Sequence, residues 1–217
     1  MTRHRGRTTL GRGEMQRFVC EQNIVHFERL LNEAADPTVQ STVRALLASA
    51  RRQLALLNSA ASGADTTPLE QRRRRHADAH AIGQQFQPEF DASPHPYMLL
   101  DPGPGLLIVD VNDAYAAATF TERAHIVGRS LFEIFPDNPD DPLADGVSNL
   151  YASLRIVGET GRAHAMAIQR YDIRDPAGTF VERHWQPINS PIHDSTGHLV
   201  YLLHHVEDVT AQVAMRR

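Results

Sequence analysis

Lysine is absent from this chain, and all 22 basic residues are arginine. That uniformity reads as coding bias and assigns no chemistry. Cysteine is almost as scarce, with Cys20 alone. A lone thiol excludes an internal disulfide and fits a reducing, cytoplasmic compartment. No apolar run approaches the roughly 20 residues a membrane helix requires, so no spanning segment and no membrane partner are expected. The basic start, Met1 to Arg7, has no apolar stretch behind it, so a secretory signal is not expected. There is also no nucleophile motif, no phosphate-binding glycine loop and no metal-ligand cluster, so the expectation is a protein that is not an enzyme.

At 217 residues the chain can hold one domain of about 100–150 residues plus an extension. Charge is divided unevenly: residues 1–92 carry +3 and residues 93–217 carry −7. An acidic globular part argues against a nucleic-acid surface. The run Arg72 to Arg75 reads as a solvated helix face.

Residues 1–13 lack periodicity and read as a disordered tail. Residues 14–58 read as a helical hairpin. Cys20, Ile24, Phe27 and Leu31 share one helical face. Asp36-Pro37 then supplies an N-cap and a first-turn proline. The following stripe is Val39, Val43, Leu46, Leu47, Ala50, Leu54 and Leu57. Such a pair buries little alone and must dock on the rest of the chain or on a second copy. Residues 59–66 are small and polar and read as a linker. Thr67-Pro68-Leu69-Glu70 matches a capping box, which starts a lead-in helix over 67–88.

The last third is patterned differently. Apolar runs at 96–101 and 106–111 flank Pro102-Gly103-Pro104-Gly105 and predict a hairpin. Asn112-Asp113 caps a short helix with Tyr115, and two further short helical turns follow. A longer helix is expected over 143–159, with Gly161 beyond its end. Three strands, 163–173, 179–189 and 198–208, close the segment around turns at 175–178 and 194–197. The order gives an α+β fold, a five-stranded antiparallel sheet with helices on one face, preceded by the helical N-terminal segment.

The hairpin, the Asn-opened helix and the closing Val206-Glu207-Asp208-Val209-Thr210 together resemble a PAS domain over 89–210, with 211–217 as a C-terminal tail. The loop Phe-Pro-Asp-Asn-Pro-Asp-Asp-Pro at 135–142, with Tyr171 to Arg174 and Trp185 to Asn189, is most similar to PAS domains of bacterial two-component sensor histidine kinases. The resemblance implies a sensor or protein-interaction module, with a small ligand between sheet and helices or none. A histidine kinase or response regulator is the implied partner, and the alternative is the input region of such a kinase. Light-sensing relatives require a cysteine beside a flavin ring, and this segment has none, so a photoactive flavin is not expected. Oxygen-sensing relatives hold haem through a histidine on the long helix. Residues 143–159 contain none, which argues against haem.

Strand alternation singles out the remaining candidates. Trp185 and Asn189 share a face, and His204 faces inward with Leu202 and Val206. Met98, Tyr115, Leu154, Met166 and Tyr171 complete the expected cavity lining, and no unknown ligand is named by them. Trp185 reads slightly better as dry core than as cavity wall, and Tyr171 carries the same ambiguity. Metal ligation by a strand histidine is the minor reading. The acidic loop lacks the ligand spacing of a calcium loop and reads as rigid surface. Asp208 and Thr210 are where the resemblance places coupling of the sheet to an output helix. A homodimer through the N-terminal helices is expected.

Overall fold

Helix α1 spans Arg12–Glu33 and α2 spans Pro37–Ser62. The computed structural model describes residues 11–65 and 76–216, with the backbone alone for 76–80. The expected tail, the Thr67 capping box and Arg72 to Arg75 therefore lie mainly or wholly outside the described residues. Asp36 caps α2 through its Oδ1, which accepts from the Thr38 N–H at 2.7 Å. Cys20 is buried where α1 packs on α2, while Ile24, Phe27 and Leu31 are half-buried. A second stripe, Met15, Phe18 and Val25, stays exposed.

The segment expected as a linker at 59–66 is in part helix. Ser59, Ala60, Ala61 and Ser62 continue α2, because two alanines favour helix and both serine hydroxyls bond back to its carbonyls. The helix stops at Gly63, whose φ is +66°. A Cβ there would lie 1.9 Å from the Gly103 carbonyl oxygen, so only glycine fits. Ala64 and Asp65 N–H groups both donate to the Pro102 carbonyl, at 2.9 and 3.0 Å. The Gly105 N–H donates to the Ser59 carbonyl at 2.7 Å. The end of α2 is thus fastened to the turn at 102–105.

Helix α3, His76–Ala92, runs past Pro88 instead of ending there. The lost backbone bond is offset by Phe90, 2% exposed, and by ties to the following domain. Arg123 bridges Asp91 at 3.1 Å and Asp110, and the Gln87 amide donates to Asp110 at 2.9 Å.

The strands are β1 Tyr97–Leu100, β2 Ile108–Val111, β3 His164–Ala165, β4 Gln169–Arg170, β5 Ile173–Arg174, β6 Phe180–Val181, β7 His184–His193 and β8 Leu199–Asp208. They form an antiparallel sheet in the order β2-β1-β8-β7-β3, with β4 also on β7. β5 and β6 pair separately. The expected strand 163–173 is therefore broken into three pieces, and 179–189 into two. The reason is a register slip: His164 faces Asn189 but Gln169 faces Trp185, which leaves one extra residue between the pairs.

Four short or medium helices cover one face: α4 Asp113–Thr119, α5 Arg123–Ile126, α6 Leu131–Ile134 and α7 Gly146–Thr160. A final helix, α8, is Thr210–Ala214. The α+β architecture, a predominantly five-position antiparallel sheet behind N-terminal helices, is the one expected. Asn112 is central to it. Its Oδ1 accepts from Tyr97 and Tyr115 N–H groups, while its Nδ2 donates to the Phe90, Ser93 and His95 carbonyls. One buried amide thus joins α3, β1 and the cap of α4.

Candidate functional site

Between the sheet and α4, α6 and α7 lies a cavity of about 50 Å³. Of the eight residues expected at a cavity, five line it: Tyr115, Met166, Tyr171, Trp185 and His204. The other three do not. Met98 and Leu154 are fully buried core side chains. Asn189, also fully buried, stands behind the wall and binds His204. The alternation that selects Trp185 also carries Pro187 to the wall, and that of His204 carries Val206. Thr119, Leu131, Phe135, Leu150, Gln169 and Ile173 complete the lining. They come from separate elements, so no local pattern marks them as a group.

Gly146 has a different reason to be there. A Cβ at this first residue of α7 would fall 2.1 Å from the Tyr171 ring. The ring lies across the helix start, and its hydroxyl donates to the Phe135 carbonyl. The Trp185 indole N–H donates to the Tyr171 carbonyl at 2.9 Å. Backbone carbonyls thus hold both large aromatics in place, leaving their rings to shape the wall.

A polar relay runs behind the cavity. The Asn189 Nδ2 donates to Ser153 Oγ at 2.7 Å, and Asn189 Oδ1 lies 2.7 Å from His204 Nδ1. An amide oxygen only accepts, so Nδ1 of His204 carries the proton. Ser153 in turn has its hydrogen free for His164 Nδ1, 2.8 Å away. Nε2 of His204 is left as an acceptor. Burial, and then the neighbouring His205, lowers the His204 pKa to about 3, so the ring is neutral. Burial also pushes the Tyr115 and Tyr171 hydroxyls well above their ordinary range.

Among the described residues no hydrogen bond is made by the Tyr115 hydroxyl or by His204 Nε2, and both residues line the cavity. The two rings meet edge-on, with centroids 6.2 Å apart. No carboxylate, guanidinium or other charged side chain joins them in the wall. The arrangement can hold a neutral, mostly apolar molecule that offers one donor to the imidazole. A buried net charge would have no partner there.

The acidic loop is not the expected piece of rigid surface throughout. Asp137 is 8% exposed. Its carboxylate accepts from the Val147 N–H at 2.9 Å and from Arg52 Nε at 2.7 Å. Burial outweighs both and raises its pKa. A hollow of about 230 Å³ opens on this loop, but Arg170 already pairs there with Asp141 at 3.2 Å and Asp172 at 3.0 Å.

At the C-terminal exit Asp208 Oδ1 accepts from the Thr210 N–H at 2.9 Å and from its hydroxyl. Thr210 Oγ1 accepts from the His184 N–H at 2.9 Å. Arg183 Nε lies 3.3 Å from Asp208 Oδ2. Both residues therefore sit where β8 leaves the sheet and α8 begins. The sole cysteine, on α1, contributes nothing to the cavity wall. No helix among the described residues is long and apolar enough to cross a membrane.

Residues 90–214 match a family model described as the PAS fold. No curated protein matches the chain. Among solved structures it is similar to a PAS domain of a protein from Colwellia psychrerythraea. The identity is 15%, covering 60% of this chain and 98% of that one, with a TM-score of 0.45. It is similar to the PAS domain of the fruit-fly ELK potassium channel at 15% identity, covering 58% and 96%, with a TM-score of 0.42. A LOV protein from Rhodobacter sphaeroides is also similar at 15% identity, covering 58% and 66%, with a TM-score of 0.45.

Proposed function

The chain belongs to the PAS fold family, and from that premise we propose that it is a sensory module of bacterial signal transduction. Its ligand is a small, neutral, largely apolar molecule held between sheet and helices. The observation that carries this reading is an apolar wall in which His204, with Nε2 left as an acceptor, and Tyr115 are neighbouring polar side chains. Such pockets, mostly apolar with a few convergent polar groups, are where small molecules bind. At about 50 Å³ the space takes a few non-hydrogen atoms. Anything larger needs the wall to open, and Met166 and Gln169 in that wall sit beside the register slip.

Output runs through Asp208 and Thr210 into α8, toward a histidine kinase or response regulator. The N-terminal helices supply a homodimer contact through Met15, Phe18 and Val25. This is a sensing role with no catalytic step. Cysteinyl-flavin chemistry is unavailable to it, since the only thiol is Cys20.

Native mass spectrometry and an absorption spectrum of freshly purified protein test the reading, followed by NMR titration with ethanol and isopropanol as probes. A co-purifying mass without visible colour, or probe shifts centred on Tyr115 and His204 that vanish in His204→Leu, support it. A visible chromophore, or no bound mass with no probe shift at those rings, removes the proposed ligand.

A further inference from the structure

On the face of the sheet opposite the cavity, β8 turns His205 and Glu207 outward, two residues apart. β1 runs antiparallel to β8 with Tyr97 opposite His205. The Val206 N–H donates to the Pro96 carbonyl at 3.3 Å, so the same register continues upstream. It brings His95 opposite Glu207. One donor atom from each of His95, His205 and Glu207 lies within 4.8 Å of the others. We propose that these three side chains form a binding site for a divalent transition metal, zinc foremost, distinct from the ligand cavity.

Three observations carry the assignment. The donor set is two imidazoles and a carboxylate, which suits zinc and leaves a fourth position for water. His205 Nε2 is buried without a hydrogen-bond partner, its nearest carboxylate oxygen, on Glu207, lying 4.0 Å away. A buried ring nitrogen left this way is costly, and a metal satisfies it. The frame is also preset: Tyr97 packs on the His205 ring at 5.0 Å, and Asn112 Nδ2 holds the His95 carbonyl at 2.8 Å. At zinc bond lengths of about 2.1 Å, tetrahedral donors stand about 3.4 Å apart. Rotation of the exposed His95 and Glu207 side chains closes the difference. Bound metal would tie the residue entering β1 to the end of β8, next to Asp208.

The full chain is titrated with zinc chloride in metal-free buffer by calorimetry, with NMR of the histidine rings alongside. The expected result is one ion per chain, with ring signals of His95 and His205 shifting and that of His204 unmoved. His95→Ala and Glu207→Gln change exposed side chains, and each is expected to weaken binding roughly tenfold or more. Absence of binding overturns the proposal. So does affinity unchanged in both variants, shifts confined to other histidines, or magnesium binding as tightly as zinc.

Discussion

Arg52 and Asp137, 85 positions apart in sequence, meet at 2.7 Å and fasten α2 to the loop that precedes α7. The same guanidinium donates to the Ala144 carbonyl at 2.6 Å. The Tyr151 hydroxyl donates to the Gly63 carbonyl at 3.1 Å on the same side. The N-terminal helices are therefore bonded to the helical layer that roofs the cavity.

Arg52→Ala leaves the Asp137 carboxylate buried without its cation. We expect a loss of about 2–4 kcal/mol, because a near-buried pair is broken from one side. Asp137→Asn keeps the bond from Val147 and should cost less. Urea unfolding of both variants measures this. A loss below about 0.5 kcal/mol for Arg52→Ala would make the pair ornamental.

His204 makes the fold sensitive to acid. Its folded pKa is about 3, against about 6.5 for an unfolded histidine. Above pH 6.5 or so the ring is neutral in both states and adds no pH dependence. As pH falls toward 3, the unfolded chain takes up a proton that the folded chain refuses. Stability then drops by at most about 1.4 kcal/mol per pH unit. His205, lowered chiefly by burial, acts in the same sense. Denaturation midpoints of wild type and His204→Gln, from neutral pH down to about 4.5, provide the comparison. Identical slopes would remove the burial argument.

Asp208→Ala should lower the melting temperature slightly and speed hydrogen exchange across 209–216. The carboxylate caps Thr210 and faces Arg183 at the exit, away from the core. Global unfolding in the variant would make Asp208 a core residue. Unchanged exchange would deny it a place in coupling.

Sedimentation tests the homodimer. Phe18 is 51% and Val25 63% exposed, on one stripe of α1, so each has about 1–2 kcal/mol left to gain on full burial. Wild type should sediment as a dimer at micromolar concentration and Phe18→Glu with Val25→Glu as a monomer. A monomeric wild type ends the proposal.

The parts of the fold set by local pattern were legible. Alternation in β7 and β8 turns Trp185, Asn189 and His204 inward, as strand period alone requires. Asp36 and Asn112 cap their helices as their side chains suit them to. What escaped depends on contacts distant in sequence. The stop at Gly63 makes sense only against Gly103, 40 residues later. The break of 163–173 depends on where β7 lies, and Pro88 is tolerated because Phe90 and Asp91 have partners elsewhere. The cavity was half legible for the same reason. Its strand residues carry a period, whereas Thr119, Leu131 and Phe135 are gathered by packing.

The slip between β3 and β4 bears on how open the sheet margin is to strand-by-strand growth. A straight, unpaired strand at a sheet margin invites another chain to add to it, the route to fibrils. Here that margin is two short pieces with an odd residue between them, and Arg170 beside it is engaged with carboxylates. The opposite margin, β2, is four residues long, with Asp110 held by Arg123. Neither border offers a long, regular template. Strand addition at either border is thereby disfavoured, whatever other surface a second copy uses.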